Sequence, residues 1–276
     1  MAMADDIAGK CVVVTGAGTG IGRGIALKFA EYGADVVLHF SHSDSGARSA
    51  AAEIATMGRR ATALQADFNN VHEVFRLARE AEEFLGQVDI LVNNAGITTN
   101  IPLGDVLPEQ FDTLFNVNIK AMYFMTQALA KGMILRGKGA VVNLTSVHAN
   151  GAMSEHSIYA GTKGAIQSFT RTTAVELAPS GIRMNAIAPG WVVVENHYKV
   201  MGEIDLDAAA DSIPAGFVGT PEDIGELAVF LASNVSRYIV GQTYTIDGGQ
   251  MCNMYETGPF KERREATFGQ GYVEGV

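Results

Sequence analysis

The sequence predicts an α/β chain folded as a doubly wound, Rossmann-type parallel sheet of about seven strands, with helices on both faces. Three observations carry this. Apolar β-rich runs alternate with stretches of helical spacing through most of the 276 residues. A glycine-rich turn, Thr15-Gly16-Ala17-Gly18-Thr19-Gly20-Ile21-Gly22, joins the first run to the first helical stretch. The apolar fraction of 47% is ample for one core, so residues 1–276 read as a single domain.

Taken in order, Cys11 to Thr15 reads as a buried strand, and Ile21 to Tyr32 has helical spacing through Ile21, Ile25 and Phe29. Asp35 to His39 is the second strand and Ala47 to Met57 an alanine-rich helix. Ala61 to Ala66 is the third strand, Val71 to Leu85 the next helix, and Val88 to Asn93 the fourth strand. A long helix around Glu109 to Leu135 follows, then a strand at Ala140 to Thr145 and a helix at Ser157 to Leu177. Arg183 to Ala188 and Gln242 to Ile246 are the last strands. The helix between them, Pro221 to Leu231, starts on a Thr220 N-cap with proline at its first position. Two stretches break the rhythm. Residues 191–218 are long and polar, the expected substrate-specificity segment, and 251–276 form a C-terminal extension.

Composition excludes several classes. Twenty basic against 30 acidic residues give a net charge of −10, which opposes nucleic acid and anionic membrane as partners. No run reaches the roughly 18 apolar residues of a membrane helix. Met1 to Ala8 carries Asp5 and Asp6 and has no apolar leader, and two cysteines, Cys11 and Cys252, suit free thiols in a reducing cytoplasm. No metal-ligand set is assigned.

Gly16, Gly20 and Gly22 follow a buried strand and open a helix. In that context they suit a tight turn, close approach to a pyrophosphate and close helix packing. The helix N-terminus then presents free N–H groups to the phosphates. Asp67 ends the third strand, where it can accept from an adenine amino group or cap the next helix. Asn94-Ala95-Gly96 ends the fourth strand, where small residues admit a cofactor or simply make a turn. At the end of the second strand an NAD enzyme carries an acid. Phe40 takes that place here, followed by Ser41, His42 and Ser43, which can donate hydrogen bonds but include no arginine. This favours NADP over NAD, with dual use open.

Tyr159 and Lys163 lie four apart on a predicted helix and share a face. An ammonium beside a phenol lowers the phenol pKa and makes it a usable acid or base. Ser146 ends a strand, where its hydroxyl can polarise a substrate oxygen, and Asn118 in the long helix can hold a water that links the lysine to solvent.

Together these motifs resemble the single-domain short-chain dehydrogenase/reductase family over about residues 9 to 250. The resemblance rests on Thr15-Gly16 to Gly22, Asn93-Asn94-Ala95-Gly96, Asn118, Ser146, Tyr159 with Lys163, and Pro189-Gly190. It implies an Asn118–Ser146–Tyr159–Lys163 tetrad, hydride transfer to the nicotinamide B face, and a homotetramer built on the two long helices. It extends the cofactor set to Thr19, Ile21, Phe68, Pro189, Gly190 and Val192. Val194 stands where the family often has a threonine that contacts the nicotinamide.

The function so implied is hydride exchange between a nicotinamide cofactor and a small polar alcohol or carbonyl. His148, Asn150, Glu155, His156, Trp191 and His197 surround the expected reacting centre with polar groups suited to a sugar or polyol, alongside Ser146 and Tyr159. Two alternatives are a 3-oxoacyl-[acyl-carrier-protein] reductase and a non-catalytic nucleotide-sensing regulator. Gly137 and Ser180 occupy the places where the former has arginines, and the retained tyrosine and lysine oppose the latter. In the extension, Tyr255, Phe260, Phe268 and Tyr272 with Lys261, Arg263 and Arg264 suggest a contact to a neighbouring subunit.

Overall fold

A computed structural model of the chain describes residues 2–252. The aromatic and basic residues of the extension from 253 onward lie outside the described residues. The strands β1 (Cys11–Val14), β2 (Asp35–Phe40), β3 (Ala61–Gln65), β4 (Ile90–Asn93), β5 (Gly139–Leu144), β6 (Ile182–Pro189) and β7 (Thr243–Ile246) form one sheet. Its order is β3-β2-β1-β4-β5-β6-β7 and every pairing is parallel. The helices are α1 (Ala2–Ile7), α2 (Gly20–Glu31), α3 (Asp44–Thr56), α4 (Val71–Leu85), α5 (Pro108–Phe115), α6 (Ala121–Arg136), α7 (Ser157–Leu177), α8 (Glu195–Met201), α9 (Leu206–Ala210) and α10 (Pro221–Ala232).

Strand periodicity divides the core in two. Val12, Val14, Val36 and Leu38 face Ile25 and Phe29 of α2 and Ile224 of α10. Val13, Val37 and Leu91 face Leu77 of α4, Leu129 of α6 and Ala174 of α7. Side chains such as Phe29 and Leu77 are wholly buried, and each contributes about 1.5–3 kcal/mol by leaving water. Both faces of the central strands are covered, which is why β1 and β2 read as continuous apolar runs.

Helix ends follow local chemistry. The Thr220 Oγ1 accepts the Asp223 N–H at 3.4 Å while the Asp223 carboxylate accepts the Thr220 N–H at 2.8 Å, so the expected cap on α10 is present. For α4 the cap is Asn70, whose Oδ1 accepts the His72 N–H at 3.0 Å. Asp67 instead closes a turn by accepting the Asn69 N–H at 2.9 Å, so the helix-cap reading of Asp67 does not hold.

One predicted helix is interrupted. The expected continuous helix from Glu109 to Leu135 breaks at Asn116–Lys120, a π-helical turn between α5 and α6. The wider turn accommodates one extra residue, as π-bulges do at functional places, and it buries Asn118 to 1% exposure.

β1 pairs with β2 on one side and β4 on the other, with Val14 opposite both Leu38 and Val92. The chain reverses its winding there. In open α/β sheets the crevice at such a point, beyond the carboxyl ends of the strands, receives the ligand.

Candidate active site

The glycine turn leaves β1 and is held from three sides. Gly16 adopts φ +64°, and a Cβ there would lie 2.8 Å from the Ala95 Cα. A Cβ on Gly22 would overlap the Gly16 carbonyl oxygen and the Asn94 amide, so this glycine brings α2 tight against β4. The Asn94 Nδ2 donates to the Thr15 and Gly16 carbonyls at 2.9 and 3.0 Å. The Thr15 Oγ1 accepts the N–H groups of both Asn94 and Ala95 at 3.0 Å.

The third restraint comes from His39. Its Nδ1 accepts the Gly16 N–H at 3.1 Å and its Nε2 lies 3.1 Å from the Ala66 carbonyl, to which it donates as the neutral tautomer. Burial pushes its pKa down to about 4. The ring stacks on Phe68 with centroids 4.0 Å apart.

This turn fits a nucleotide pyrophosphate. The first-turn N–H groups of α2 have no intrahelical acceptor and carry the positive end of the helix dipole. Gly16, Thr19, Gly20, Ile21, Gly22, Asn94, Ala95, Gly96, Tyr159, Lys163 and Pro189 line one cavity of about 270 Å³. Phe40, Ser41, His42, Ser43, Asp67 and Phe68 are not among its lining residues, since they lie at or after the ends of β2 and β3. Phe40 and Phe68 are buried, at 4% and 5% exposure, so they act as packing and leave Ser41, His42 and Ser43 as the polar groups after β2 and Asp67 after β3. Ser43 packs directly on Gly18, beside the turn.

Ser146 follows β5 in an extended conformation, and its Oγ accepts the His148 N–H at 3.2 Å. Tyr159 and Lys163 share one face of α7. The Lys163 Nζ donates to the Leu144 carbonyl at 3.0 Å and lies 5.4 Å from the centre of the Tyr159 ring. The Thr145 Oγ1 donates to the Lys163 carbonyl at 2.8 Å, which locks α7 to the end of β5. Burial pushes the Lys163 pKa down to about 8. Burial also raises the Tyr159 phenol, with the Ser146 hydroxyl pulling it back. The expected lowering of the phenol by the lysine is not found in the chain alone: burial dominates, and the opposing pull comes from Ser146.

The Asn118 Oδ1 accepts the Ile97 N–H at 2.8 Å, and its Nδ2 donates to the Ile97 carbonyl and the Thr162 Oγ1, each at 3.0 Å. Its amide thus holds the segment after β4 against α7. Deeper, the Asn93 Nδ2 donates to the Thr126 Oγ1 at 3.0 Å and the Asn143 Oδ1 at 2.9 Å, and the Asn143 Nδ2 donates to the Thr170 Oγ1 at 2.9 Å. This satisfied chain pins β4, β5, α6 and α7 into one frame.

A second cavity, about 560 Å³, shares Ile21, Thr98, Thr145, Tyr159, Pro189 and Val194 with the first. Ser146, His148, Tyr159, Trp191 and His197 line it, together with Gly190 and Val192. Asn150 and Glu155, also expected here, are exposed outside it. Met153, His156 and Gln250 complete the wall. His148 and His156 have ring centres 5.1 Å apart, and His148 lies 5.6 Å from Tyr159. The His148 Nδ1 is buried with no partner among the described residues, and burial followed by the His156 charge lowers the His148 pKa.

The roles of His39 and Asn143 in this frame escaped the sequence reading. His39 leaves one faint signal, a lone histidine in an apolar strand.

A phosphate-binding turn that opens onto a buried serine and lysine and a half-buried tyrosine is the arrangement of a nicotinamide-dependent oxidoreductase. The chain belongs to the short-chain dehydrogenase/reductase family. A family profile described as enoyl-(acyl carrier protein) reductase matches residues 16–251. A hydroxynaphthalene reductase-like protein of Metarhizium anisopliae is 39% identical over 259 residues, covering 89% of this chain and 96% of its own. An L-rhamnose 1-dehydrogenase (NAD(P)(+)) of Sphingomonas sp. is 36% identical over 248 residues, covering 89% and 98%. A 7α-hydroxysteroid dehydrogenase solved with NADH and 7-oxo glycochenodeoxycholic acid superposes with a TM-score of 0.83 at 33% identity, covering 89% of this chain and 96% of that one. The chain is an oxidoreductase that transfers a hydride between a nicotinamide cofactor and a small polar alcohol or carbonyl compound.

Proposed function

We propose that the chain interconverts a polyhydroxylated carbonyl compound, of sugar or polyol type, and its alcohol, with preference for NADP(H). The observation that carries this reading is the junction of the two cavities at Tyr159, where Ser146 faces a wall built from three of the six histidines and no carboxylate. Uncharged nitrogen and oxygen groups on several sides suit a substrate with several hydroxyls.

In this reading the glycine turn holds the pyrophosphate, Asp67 the adenine, Ser41, His42 and Ser43 the 2′-phosphate, and Lys163 the adjoining ribose. Pro189, Gly190 and Val192 shape the nicotinamide end. The bound nicotinamide supplies or accepts the hydride. The Ser146 hydroxyl orients the substrate oxygen, and the Tyr159 hydroxyl gives that oxygen a proton in reduction and takes it back in oxidation. Lys163 stabilises the phenolate so formed. Asn118 is a positioning residue that keeps Ile97 and Thr162 in register.

Residues 191–218 are the specificity segment, and 251–276 the extension. The described Met251 already packs on Gly151 beside the substrate cavity. The assembly is a homotetramer in the cytoplasm. Exposed Tyr123, Ile134 and Leu135 on α6 and Val175 on α7 support association through those helices. Among the described residues no helix is long and apolar enough to cross a membrane.

The deciding experiment is a turnover screen with NADP(H) and NAD(H) against polyols, sugars, hydroxylated aromatic ketones and acyl thioesters. Turnover of polyols or sugars supports the proposal. Activity confined to acyl thioesters moves it to the carrier-protein reductase reading, and steady turnover of any of these removes the regulator reading.

A further inference from the structure

The N–H of Gly20 opens α2, where the turn would meet a phosphate oxygen. It is already engaged. Its acceptor is the Glu195 Oε2 at 2.9 Å, from the first residue of α8 and 175 positions away in sequence. The neighbouring Val194 seals the contact, its side chain lying about 3.2 Å from where a Gly20 Cβ would stand. The Val194 N–H in turn meets the His197 Nδ1 at 3.4 Å. Upstream, Val193 donates to the Gly219 carbonyl at 3.0 Å, which ties the segment to the approach of α10.

A carboxylate and a phosphate oxygen are interchangeable partners for a helix N-terminus, since both are anionic acceptors. They cannot occupy the same N–H together, and held side by side they repel. We propose that Glu195 is a built-in competitor for the cofactor pyrophosphate, and that it sets cofactor affinity by closing the phosphate turn in the free chain. Cofactor entry displaces the carboxylate. Because Trp191 and His197 of the same segment line the substrate cavity, the displacement couples cofactor occupancy to the shape of the substrate site. This deepens the nicotinamide-dependent reading and rests on it.

Two substitutions test it. Glu195→Gln keeps the reach but removes the charge. Glu195→Asp keeps the charge but shortens the side chain, so the 2.9 Å contact is lost. Titrating NADPH and NADH by fluorescence against the full chain should show both variants binding both nucleotides about two- to fivefold tighter, the range an anion at a helix N-terminus is worth. The factor should be the same for the two nucleotides, because the pyrophosphate is common to them. Stopped-flow binding should place the gain in the association rate, since the closed fraction of the chain binds nothing. Unchanged or weaker binding by Glu195→Gln overturns the proposal. So does Glu195→Asp behaving as wild type, which would leave general repulsion rather than a docked carboxylate. A gain confined to the dissociation rate also overturns it. A wild-type chain that bound neither nucleotide would remove the nicotinamide reading itself, an outcome distinct from all of these.

Discussion

The His39 imidazole bridges two backbone groups, accepting the Gly16 N–H through Nδ1 and facing the Ala66 carbonyl through Nε2, both at 3.1 Å. A strand side chain thereby sets the start of the phosphate turn. Only a neutral ring can do this, because the protonated ring has no lone pair for Gly16.

From this follows a stability profile. The folded pKa of His39 lies near 4 against an ordinary 6.5, so between those values the unfolded chain binds the extra proton. Stability from this residue is complete above about pH 6.5 and is lost as pH falls towards 4, by an amount on the order of 3 kcal/mol. His39→Asn can still accept from Gly16 through Oδ1 without titrating. Urea midpoints at pH 7 and pH 4.5 should differ less for this variant than for wild type. Equal differences would show that His39 does not carry the acid sensitivity.

Tyr159→Phe should leave nucleotide binding nearly intact and lower kcat by about 100-fold or more, since a positioned acid–base group is worth 10²–10⁴. A variant that keeps more than about a tenth of the wild-type rate would end the assignment. Burial holds the phenol above its usual pKa, so alcohol oxidation, which needs the phenolate, should accelerate as pH rises. Carbonyl reduction needs the protonated phenol and should weaken in the same direction.

Lys163→Met should lose both rate and cofactor affinity while the protein gains thermal stability at pH 7. The lysine pKa near 8 against 10.5 means that burial opposes its charge. Folding therefore carries that penalty below pH 8 and sheds it as pH rises from 8 towards 10.5. Methionine removes it, and calorimetry should report a rise of a few degrees in Tm. A lowered Tm would mean that the bond to the Leu144 carbonyl outweighs the desolvation.

NADP(H) should bind more tightly than NAD(H), with modest discrimination, because Phe40 rather than an acid ends β2 and no arginine stands among Ser41, His42 and Ser43. Ser41→Arg should raise that preference several-fold, as a guanidinium meets a phosphate with paired hydrogen bonds. A wild-type preference for NAD(H) of tenfold or more would refute the reading of this strand end.

The segments that the sequence made legible are those where one local rule decides. Thr220 and Asp223 cap α10 with groups three residues apart. Val12 to Val14 needs only its neighbours' burial to be a strand. Asp67 shows the limit. Its turn and the true cap at Asn70 use the same chemistry three residues apart, and only the backbone path separates them. The break at Asn116–Lys120 was equally hidden, because the helical pattern continues through it and its partners Ile97 and Thr162 lie far along the chain.

The order of strands and helices, the glycine turn and the spacing of Tyr159 and Lys163 were thus determined by the sequence alone, since periodicity and short motifs are local properties. The tertiary structure decided how those groups behave. Burial at the carboxyl end of β5 depresses Lys163 and raises Tyr159. Packing gathers His148, His156 and His197 into one wall. The fold also sets Glu195 on Gly20 across 175 residues. Desolvation and long-range contact depend on what surrounds a group in space, and no spacing along the chain encodes that directly.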